Sequence, residues 1–341
     1  MSDVVIFAPS PVLEITVEEH QHDGDVHVHA GGQGVWQARM LLSLGRDVEL
    51  CCALSGETGR VLGHLLQEES IRIRAVHRVA RGGVYVHDRR DGDRKPIIES
   101  GGDALTRHEQ DELYGLTLRT GLDAKLVILS GPHGAGVVPA DFYRRLAADL
   151  RTGGVRVVVD LAGERLDAAL AGGVTVAKVS DEELHTDGRI GTKSSIDQIV
   201  SAMRALHDAG AEVVVVTRAA ESGLLLQDGA VYEVVAPKME VVDSAGAGDS
   251  FVGAFCSVLA DGGSVSDAAL LGAAAGAQNV TRHGLGTGEA ATIERLRELV
   301  VIRPLPGGGA PDAPAPPARE VTPNDLAHLV EAATHEDEAT P

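Results

Sequence analysis

The chain has 341 residues, which is enough for one large domain with a substantial core, and apolar residues make up 44% of it. Its 50 acidic and 30 basic residues give a formal net charge of −20, which argues against a nucleic acid or an anionic membrane as a partner. The three cysteines fit neither a disulfide framework nor a metal-binding spacing, and no export signal or membrane span is visible, so we expect a cytoplasmic protein.

The N-terminal part of the chain mixes strands and helices. Residues 3–7 have the unbroken apolar character of a buried strand, and the alternating stretch 14–29 contains Asp23-Gly24, a common hairpin turn. A helix is predicted at 32–45, where Gly45 supplies the C-terminal cap. The other elements predicted in this part are strand 48–54, helix 57–69 and the strand-like stretch 71–99, which turns at Asp91-Gly92.

From residue 106 onward helices and strands alternate. We predict helices at 106–119, 139–151, 164–170, 194–209, 264–280 and 289–300. The predicted strands are 126–130, 155–159, 174–177, 212–217 and a hairpin over 223–235 that turns at Asp228-Gly229. This alternation predicts an α/β fold with a doubly wound, mostly parallel sheet flanked by helices, and ligands at the carboxyl ends of its strands.

The composition changes near the C-terminus. Residues 303–341 are rich in Pro, Ala and Gly at first and acidic at the end, so we predict a disordered tail. Within it a short helix is possible at 323–333. The sequence suggests no role for this tail.

The chain is organised around residues 243–250, which read DSAGAGDS. A strand-like stretch precedes them and an apolar run follows. The backbone is accessible where a helix should begin, because the residues there are small: Gly246, Ala247 and Gly248. A helix N-terminus can bind a phosphate through its unpaired N–H groups and its dipole. Asp249 then lies in the first turn, either as a capping carboxylate or as a general base, and the motif alone leaves both interpretations open.

Two segments carry a resemblance to a known family. Residues 243–249 resemble the C-terminal signature of the ribokinase-like (PfkB) carbohydrate kinases, and residues 31–38, which read GGQGVWQA, resemble the N-terminal glycine signature of the same family. The hexose-phosphate branch, with 1-phosphofructokinase and tagatose-6-phosphate kinase, is the most similar. The resemblance implies a kinase domain over residues 1–302, with a small β lid from about 14–30 and 80–100.

The resemblance also implies roles on the nucleotide side. Gly246, Ala247 and Gly248 would form an anion hole, Asp249 would be the general base, and ATP and Mg²⁺ would be the cofactors. Glu183 would help to organise Mg²⁺. The residues implied beside the nucleotide are Lys178, Ser180, Thr217, Arg218, Ser222, Gly248 and Gln278. Without the resemblance, Lys178 and Glu183 would be read as a solvated helix face, and Asp160 as a metal ligand or a turn cap.

On the acceptor side this sequence departs from the family pattern. The implied acceptor residues are Glu14, Gly31, Gly32, Gln33, Trp36 and Tyr85. Gln33 replaces a lysine and Trp36 an asparagine, while Gly83 and Tyr85 stand where relatives that bind a phosphate tend to have Arg and Asn. Either other basic residues replace the missing cations and bind the phosphate of the acceptor, or the acceptor is not the usual sugar phosphate. The candidate basic residues are Arg39, Arg89, Arg90 and Lys95.

Four histidines form an unusual group in the predicted lid. His20 and His22 lie on one side of Asp23-Gly24, and His27 and His29 lie on the other, so the four rings could share one face of a hairpin. Polar residues that face the substrate or a partner lid are the favoured interpretation. A zinc or nickel site is the alternative.

The leading hypothesis is an ATP-dependent kinase that phosphorylates a hydroxyl group of a sugar or sugar phosphate. The first alternative is a kinase of the same fold with a nucleoside or another aromatic acceptor, on which Trp36 and Tyr85 could stack. The second alternative is a non-catalytic protein that senses a sugar or a nucleotide. A homodimer through the lid is plausible for a fold of this type.

Overall fold

The computed structural model describes residues 2–20, 23–92, 94–132, 136–282, 286–305, 319–322 and 325–327. Its strands, in chain order, are β1 Val4–Phe7, β2 Val12–His20, β3 Asp23–Gly31, β4 Val48–Ser55, β5 Arg72–Arg78, β6 Gly83–Asp88, β7 Lys95–Ser100, β8 Leu126–Ser130, β9 Arg156–Asp160, β10 Val174–Ser180, β11 Ala211–Arg218, β12 Glu221–Gln227, β13 Ala230–Val235, β14 Lys238–Met239, β15 Val301–Pro304 and β16 Glu320–Val321.

The helices separate these strands along most of the chain. They are α1 Gln33–Ser43, α2 Gly56–Glu68, α3 Arg107–Leu122, α4 Ala140–Thr152, α5 Gly163–Gly172, α6 Asp181–Thr186, α7 Ile196–Asp208, α8 Ala247–Ala260, α9 Val265–Asn279 and α10 Ala290–Arg297. Several begin with a side-chain cap, as at Ser195, whose hydroxyl accepts the Gln198 N–H.

The main sheet has the order β15-β13-β12-β11-β10-β9-β8-β1-β4-β5. It is parallel from β11 to β5 and antiparallel at the other end, where β12, β13 and β15 are added. Its central strands are runs of Val, Ile and Leu because both of their faces are covered. The predicted doubly wound, mostly parallel α/β fold is confirmed.

Two hydrophobic cores lie on opposite faces of this sheet. Val4 and Ile6 of β1 point into the core formed with α1, α2, α8, α9 and α10, whereas Val5 and Phe7 point into the core formed with α3, α4, α5 and α7. The side chains of a strand alternate between faces, so each strand contributes to both cores. This packing fixes the positions of the carboxyl ends of the strands, where the candidate site lies.

A second sheet, with the order β3-β2-β6-β7, comes from the two segments of the predicted lid and is called the lid below. The predicted turn at Asp23-Gly24 is wrong: both residues lie in β3, and Asp23 pairs with His20. The two paired strands therefore end at His20 and begin again at Asp23, and residues 21 and 22 lie outside the described residues. The register of β2 and β3 follows from burial. Leu13 and Ala30 pair with each other, and both join the core formed with α1, α2, α8, α9 and α10.

Part of the predicted C-terminal tail folds onto the body of the protein. Residues 301–304 form the edge strand β15, and β16 pairs in parallel with β14. Val321 is buried, and Leu326 packs against the core formed with α1, α2, α8, α9 and α10. The expectation of a disordered segment is therefore wrong for these residues, because apolar side chains anchor them. Most of the predicted helix 323–333 lies outside the described residues, although 325–327 are helical.

Candidate active site

Three polar side chains meet where neighbouring parallel strands end. Ser130 of β8 is in register with Asp160 of β9, and Asp160 is in register with Lys178 of β10. Asp160 is 1% exposed, and its Oδ1 accepts a 2.9 Å hydrogen bond from the Lys178 ammonium. A buried ion pair therefore lies at the carboxyl edge of the sheet, where ligands of doubly wound folds bind.

The start of α8 faces this ion pair. Gly246 has a φ of 78°, in the left-handed region that glycine favours, and it is the N-terminal cap of the helix. The Lys178 ammonium lies so close to Gly248 that a Cβ atom there would be 2.9 Å from Nζ. The small residues of the motif therefore bring a cation and a helix N-terminus together, and both attract an anion.

Asp249 lies in the first turn of α8 and is 8% exposed. Burial and the negative charge of Asp160 raise its pKa well above the usual range, while Lys178 opposes that rise. Lys178 is buried too, but the charges of Asp160, Glu183 and Asp249 hold its pKa above its ordinary value, so it stays an ammonium. A carboxylate with a raised pKa next to an anion-binding helix start can act as a general base.

The loop before α8 is held by side chains from elsewhere. The Asn279 amide at the end of α9 donates to the Ala245 carbonyl at 2.8 Å, and its Oδ1 accepts from the Ser250 hydroxyl at 3.1 Å. Asp243 accepts the Ala245 N–H at 3.0 Å. These hydrogen bonds hold the loop against α9, and sequence reasoning missed Asn279 because it lies 34 residues from its partner Ala245.

Ser180 and Glu183 form a capping box at the start of α6. The Glu183 Oε2 accepts from the Ser180 N–H at 2.7 Å and from its hydroxyl at 2.8 Å, and the Glu183 N–H donates back to the Ser180 hydroxyl. Among the described residues, every hydrogen bond accepted by this carboxylate falls on Oε2. The other oxygen fits a hard cation such as Mg²⁺, for which carboxylate oxygens are the usual ligands.

The predicted nucleotide loop is a tight connection between β11 and β12. Arg218 pairs with Glu221 across it, and its guanidinium donates to the Ser222 carbonyl at 3.1 Å. Ala219 has a φ of 42°, the left-handed conformation for which a glycine would be suited. The Thr217 hydroxyl contacts the Val179 carbonyl at 3.5 Å, so this loop lies beside the end of β10.

Gln278, which was predicted beside the nucleotide, is buried near the end of α9. Its side chain is 1% exposed, and its Oε1 accepts the Glu289 N–H at 2.9 Å at the start of α10. In the structure it therefore connects α9 to α10.

On the lid side, Glu14 is the central group. It is 5% exposed, and burial raises the pKa of its carboxyl, although the Arg94 guanidinium 3.2 Å away opposes that rise. The Arg94 guanidinium also contacts the His87 Nδ1 at 3.2 Å, and the His87 Nε2 contacts Glu99 at 2.9 Å. Arg94 and His87 are thus two further lid residues that sequence reasoning did not select.

The other predicted acceptor residues lie at the start of α1. Gln33 accepts the Gly131 N–H at 2.9 Å with Oε1, so it connects α1 to the end of β8. Gly32 has a φ of 96° and forms the N-terminal cap of α1. The Trp36 Nε1 is buried, and among the described residues it has no hydrogen-bond partner. The Tyr85 hydroxyl is buried too, and burial raises its pKa.

The proposed compensating cations already have acidic partners. Arg39 contacts Glu69 at 2.5 Å, and Arg89 forms an ion pair with Asp243 that connects the lid to the loop before α8. Two further ion pairs, on side chains that are more exposed, lie at the lid tip: Arg90 with Asp88 and Lys95 with Asp91. A phosphorylated acceptor that bound to one of these cations would therefore compete with its carboxylate partner.

Three of the four histidines of the predicted lid hairpin lie in the described part of the chain, and they share one face of the hairpin. His20, His27 and His29 lie at alternate positions of paired strands, and the His27 and His29 rings are 6.1 Å apart and nearly parallel. His22 lies outside the described residues. Within the described part of the chain, no group of three His, Cys, Asp or Glu side chains is arranged to hold a metal ion.

Gly31 allows Glu14 to reach its position. A Cβ atom at Gly31 would be 2.5 Å from the Cγ and Cδ atoms of Glu14. We therefore expect Gly31→Ala to displace the carboxylate and to raise the KM for the acceptor about tenfold or more, with a loss of about 1–3 kcal/mol in stability. Steady-state kinetics and thermal unfolding check this, with Gly63→Ala in α2 as the control, because that site tolerates a methyl group. An unchanged acceptor KM in a folded Gly31→Ala protein would contradict the role of Glu14.

Comparison with known proteins identifies the family. The family model described as pfkB family carbohydrate kinase matches residues 2–292. The chain belongs to this family. The kinase is 27% identical over 305 residues to the ATP-dependent 6-phosphofructokinase isozyme 2 of Mycobacterium tuberculosis, an alignment that covers 87% of the chain and 89% of the relative. It is 28% identical over 264 residues to the 1-phosphofructokinase of Bacillus subtilis, which covers 76% of the chain and 84% of the relative.

Solved structures agree with the fold. The phosphofructokinase-2 of Escherichia coli superposes with a TM-score of 0.77 at 24% identity, over 87% of this chain and 99% of the other. The ribokinase of Arabidopsis thaliana gives a TM-score of 0.68 at 21% identity, over 87% and 99%. The kinase is thus an ATP-dependent carbohydrate kinase with the ribokinase-like fold, and the non-catalytic alternative is set aside. In the described residues no helix is long and apolar enough to cross a membrane.

Proposed function

We propose that the kinase transfers the γ-phosphoryl group of ATP to a hydroxyl group of a sugar or sugar phosphate, with Asp249 as the general base. One observation carries this proposal: the buried Asp249 lies in the first turn of α8, beside the Lys178 ammonium and the glycine-rich start of the helix. This arrangement combines an acceptor for a proton with a seat for the transferred phosphoryl group.

The acceptor oxygen forms a bond to the γ-phosphorus, the bond between that phosphorus and the β-bridging oxygen breaks, and ADP leaves with the electron pair. Asp249 takes the hydroxyl proton. The N–H groups at residues 246–248 and the Lys178 ammonium stabilise the charge on the transferred group.

Mg²⁺ fits the donor side of this site. The Oε1 of Glu183 is the oxygen that the capping box leaves for the cation, and it lies on the helix that follows β10. When bound, Mg²⁺ would neutralise phosphate charge. The protein's own part is to hold Glu183 rigidly through Ser180.

On the acceptor side, Glu14 would accept hydrogen bonds from sugar hydroxyls. The names of the relatives, 6-phosphofructokinase isozyme 2 and 1-phosphofructokinase, favour a fructose phosphate. Arg89 and Arg94, which pair with Asp243 and Glu14, are cations that could turn to a substrate phosphate.

The experiment that tests this proposal is a screen for ADP release with ATP and Mg²⁺. Fructose, fructose 1-phosphate, fructose 6-phosphate, tagatose 6-phosphate, ribose and adenosine would serve as acceptors. We expect acceptor-dependent ADP release with one sugar or sugar phosphate. Release that is equally slow with and without every acceptor would contradict the proposal.

A second candidate is a kinase for a nucleoside or another aromatic acceptor. The observation that favours it is the buried Trp36 Nε1, which within the described residues has no partner and could donate to a ligand. Turnover with adenosine but with none of the sugars in the same screen would select this alternative.

We also propose that two copies of the kinase associate through their lids. One face of the lid carries Ile15, Val17, Val26, Val28 and Ile98 in register. Near the body this face is buried, but further out Val26 and Ile98 are 57% and 52% exposed. The same face of a second copy could cover these exposed apolar side chains. A tetrameric form of the Escherichia coli phosphofructokinase-2 has been solved, so such a structural neighbour does associate.

The dimer has a direct test. We expect the wild type to have twice the monomer mass of 35.5 kDa in light scattering, and Val28→Asp to shift it toward the monomer because a charge would be buried in the interface. Val61→Asp, on an exposed valine of α2, is the control and should stay dimeric. A monomeric wild type at micromolar concentration would contradict the proposal.

A further inference from the structure

A buried chain of hydrogen bonds joins the two signature segments. The Tyr143 hydroxyl donates to the Ser130 carbonyl at 3.1 Å, and the Ser130 hydroxyl donates to the Gln37 Oε1 at 2.5 Å. The Gln37 Nε2 then donates to the Asp160 Oδ2 at 3.0 Å and contacts the Asp249 Oδ1 at 3.4 Å. Gln37 itself is fully buried. The N-terminal signature thus reaches the candidate base.

A neutral amide is the group that this position requires. Two carboxylates can only accept hydrogen bonds, so the NH₂ group of Gln37 must face Asp160 and Asp249, and its oxygen must face Ser130. The two hydrogens of one NH₂ group then serve two acids. A carboxylate at position 37 would add a third negative charge in a buried site, and an apolar side chain would leave both acids without this donor.

The packing of two helices keeps Gln37 in place. At Gly253 of α8, a Cβ atom would be 2.9 Å from the Gln37 carbonyl oxygen and 2.9 Å from the Met40 Cβ. Gly253 therefore allows α1 and α8 to touch. Asp249 lies one turn before Gly253 on the same face of α8, so this contact brings the base next to Gln37.

We propose that Gln37 is the positioning residue of the catalytic base, holding the Asp249 carboxylate toward the phosphate side through an amide that Ser130 orients and Asp160 anchors. This inference rests on the proposed function, in which Asp249 takes the proton. Because Asp160 also pairs with Lys178, the base and the phosphate-side cation belong to one hydrogen-bonded unit.

The charged groups that act on Asp249 come from three elements: Asp160 on β9, Lys178 on β10 and Glu183 on α6. Gln37 adds a donor that favours the ionised carboxylate. Without it, Asp249 and Asp160 should both bind protons at higher pH, and the carboxylate should lose its fixed direction. Catalysis should then suffer more than substrate binding.

The first test compares Gln37→Met with the wild type. We expect kcat at pH 7 to fall on the order of 30-fold, part of the 10²- to 10⁴-fold that a positioned base supplies, while the KM values for ATP and acceptor change less than about threefold. The acidic limb of the pH profile of kcat should move to higher pH, because the Gln37 amide favours the ionised carboxylate. Gln110→Met in α3, where the amide donates to the Leu105 carbonyl, is the matched control and should behave as the wild type.

Some outcomes would overturn the proposal. A folded Gln37→Met protein with kcat within twofold of the wild type and an unmoved acidic limb would do so. If Gln37→Met does not fold, Ser130→Ala replaces it, since that change removes the hydroxyl that orients the amide. We then expect a smaller loss of kcat and a smaller shift of the limb in the same direction, and no shift would overturn the proposal.

A second measurement separates this inference from the proposed function. The Cγ chemical shift of Asp249 can be followed over pH in protein labelled with ¹³C-aspartate, with Asp249→Asn to assign the signal and no substrate present. We expect the Asp249 signal to titrate at higher pH in Gln37→Met than in the wild type. An identical titration overturns the positioning role, whether or not the wild type phosphorylates any acceptor.

Discussion

Asp249→Asn is expected to lower kcat about 10³-fold or more while leaving the fold and the affinity for ATP within a fewfold of the wild type. An amide is similar in size to the carboxylate but cannot take the proton of the attacking hydroxyl. The buried position of Asp249 leaves little room for water to replace it. Steady-state kinetics and calorimetric titration with ATP measure the two effects.

The control is Asp261→Asn at the other end of α8, which removes an exposed carboxylate that pairs with Arg46. It should keep full activity.

The wild type should also lose kcat/KM as pH falls through the raised pKa of Asp249, which lies well above the usual 3.8 of an aspartate. Residual activity of Asp249→Asn that keeps the same acidic limb would assign that limb to another group.

Lys178→Met is expected to have the largest effect on stability. It leaves the charge of Asp160 buried without its partner, and breaking a buried ion pair in this way costs about 3–5 kcal/mol. Turnover should fall by about 10²-fold or more as well, because a cation beside the helix start is lost. Chemical denaturation at pH 7 measures the first effect, and a free energy of unfolding within about 1 kcal/mol of the wild type would contradict it.

The pH dependence of Lys178→Met follows from Asp160. In the unfolded chain this carboxyl binds a proton near its usual pKa of 3.8, whereas burial without an ammonium beside it raises the pKa in the folded variant. Between these two values the folded state holds more protons, so the variant should become more stable as pH falls toward 5. The double variant Lys178→Met/Asp160→Asn should recover part of the loss at pH 7.

The sequence predicted most of the fold because the signals were local. The hairpin over 223–235 turns at Asp228 and Gly229, whose φ values of 51° and 76° are those of the turn expected from this pair. The same kind of signal failed at Asp23-Gly24. There the register of β2 and β3 depends on which residues are buried against the body, and burial is a long-range property.

The candidate site was predictable only in part. The sequence of residues 246–249 predicts a helix start with an acid in its first turn, and in the structure the helix begins at Ala247. Gln37 could not be selected, because its partners Asp160 and Asp249 lie 123 and 212 residues away. Gln33 was expected at the acceptor, and the structure adds that its Oε1 accepts the N–H of Gly131, which lies 98 residues away and so could not be selected as its partner.

The most direct test of the central claim is ³¹P NMR of the products formed by the wild type from ATP, Mg²⁺ and the acceptor that gives the fastest ADP release. We expect a new phosphate monoester signal that grows in step with ADP, and no such signal with Asp249→Asn over the same time. ADP accompanied only by inorganic phosphate, or an ester formed equally fast by Asp249→Asn, would contradict it.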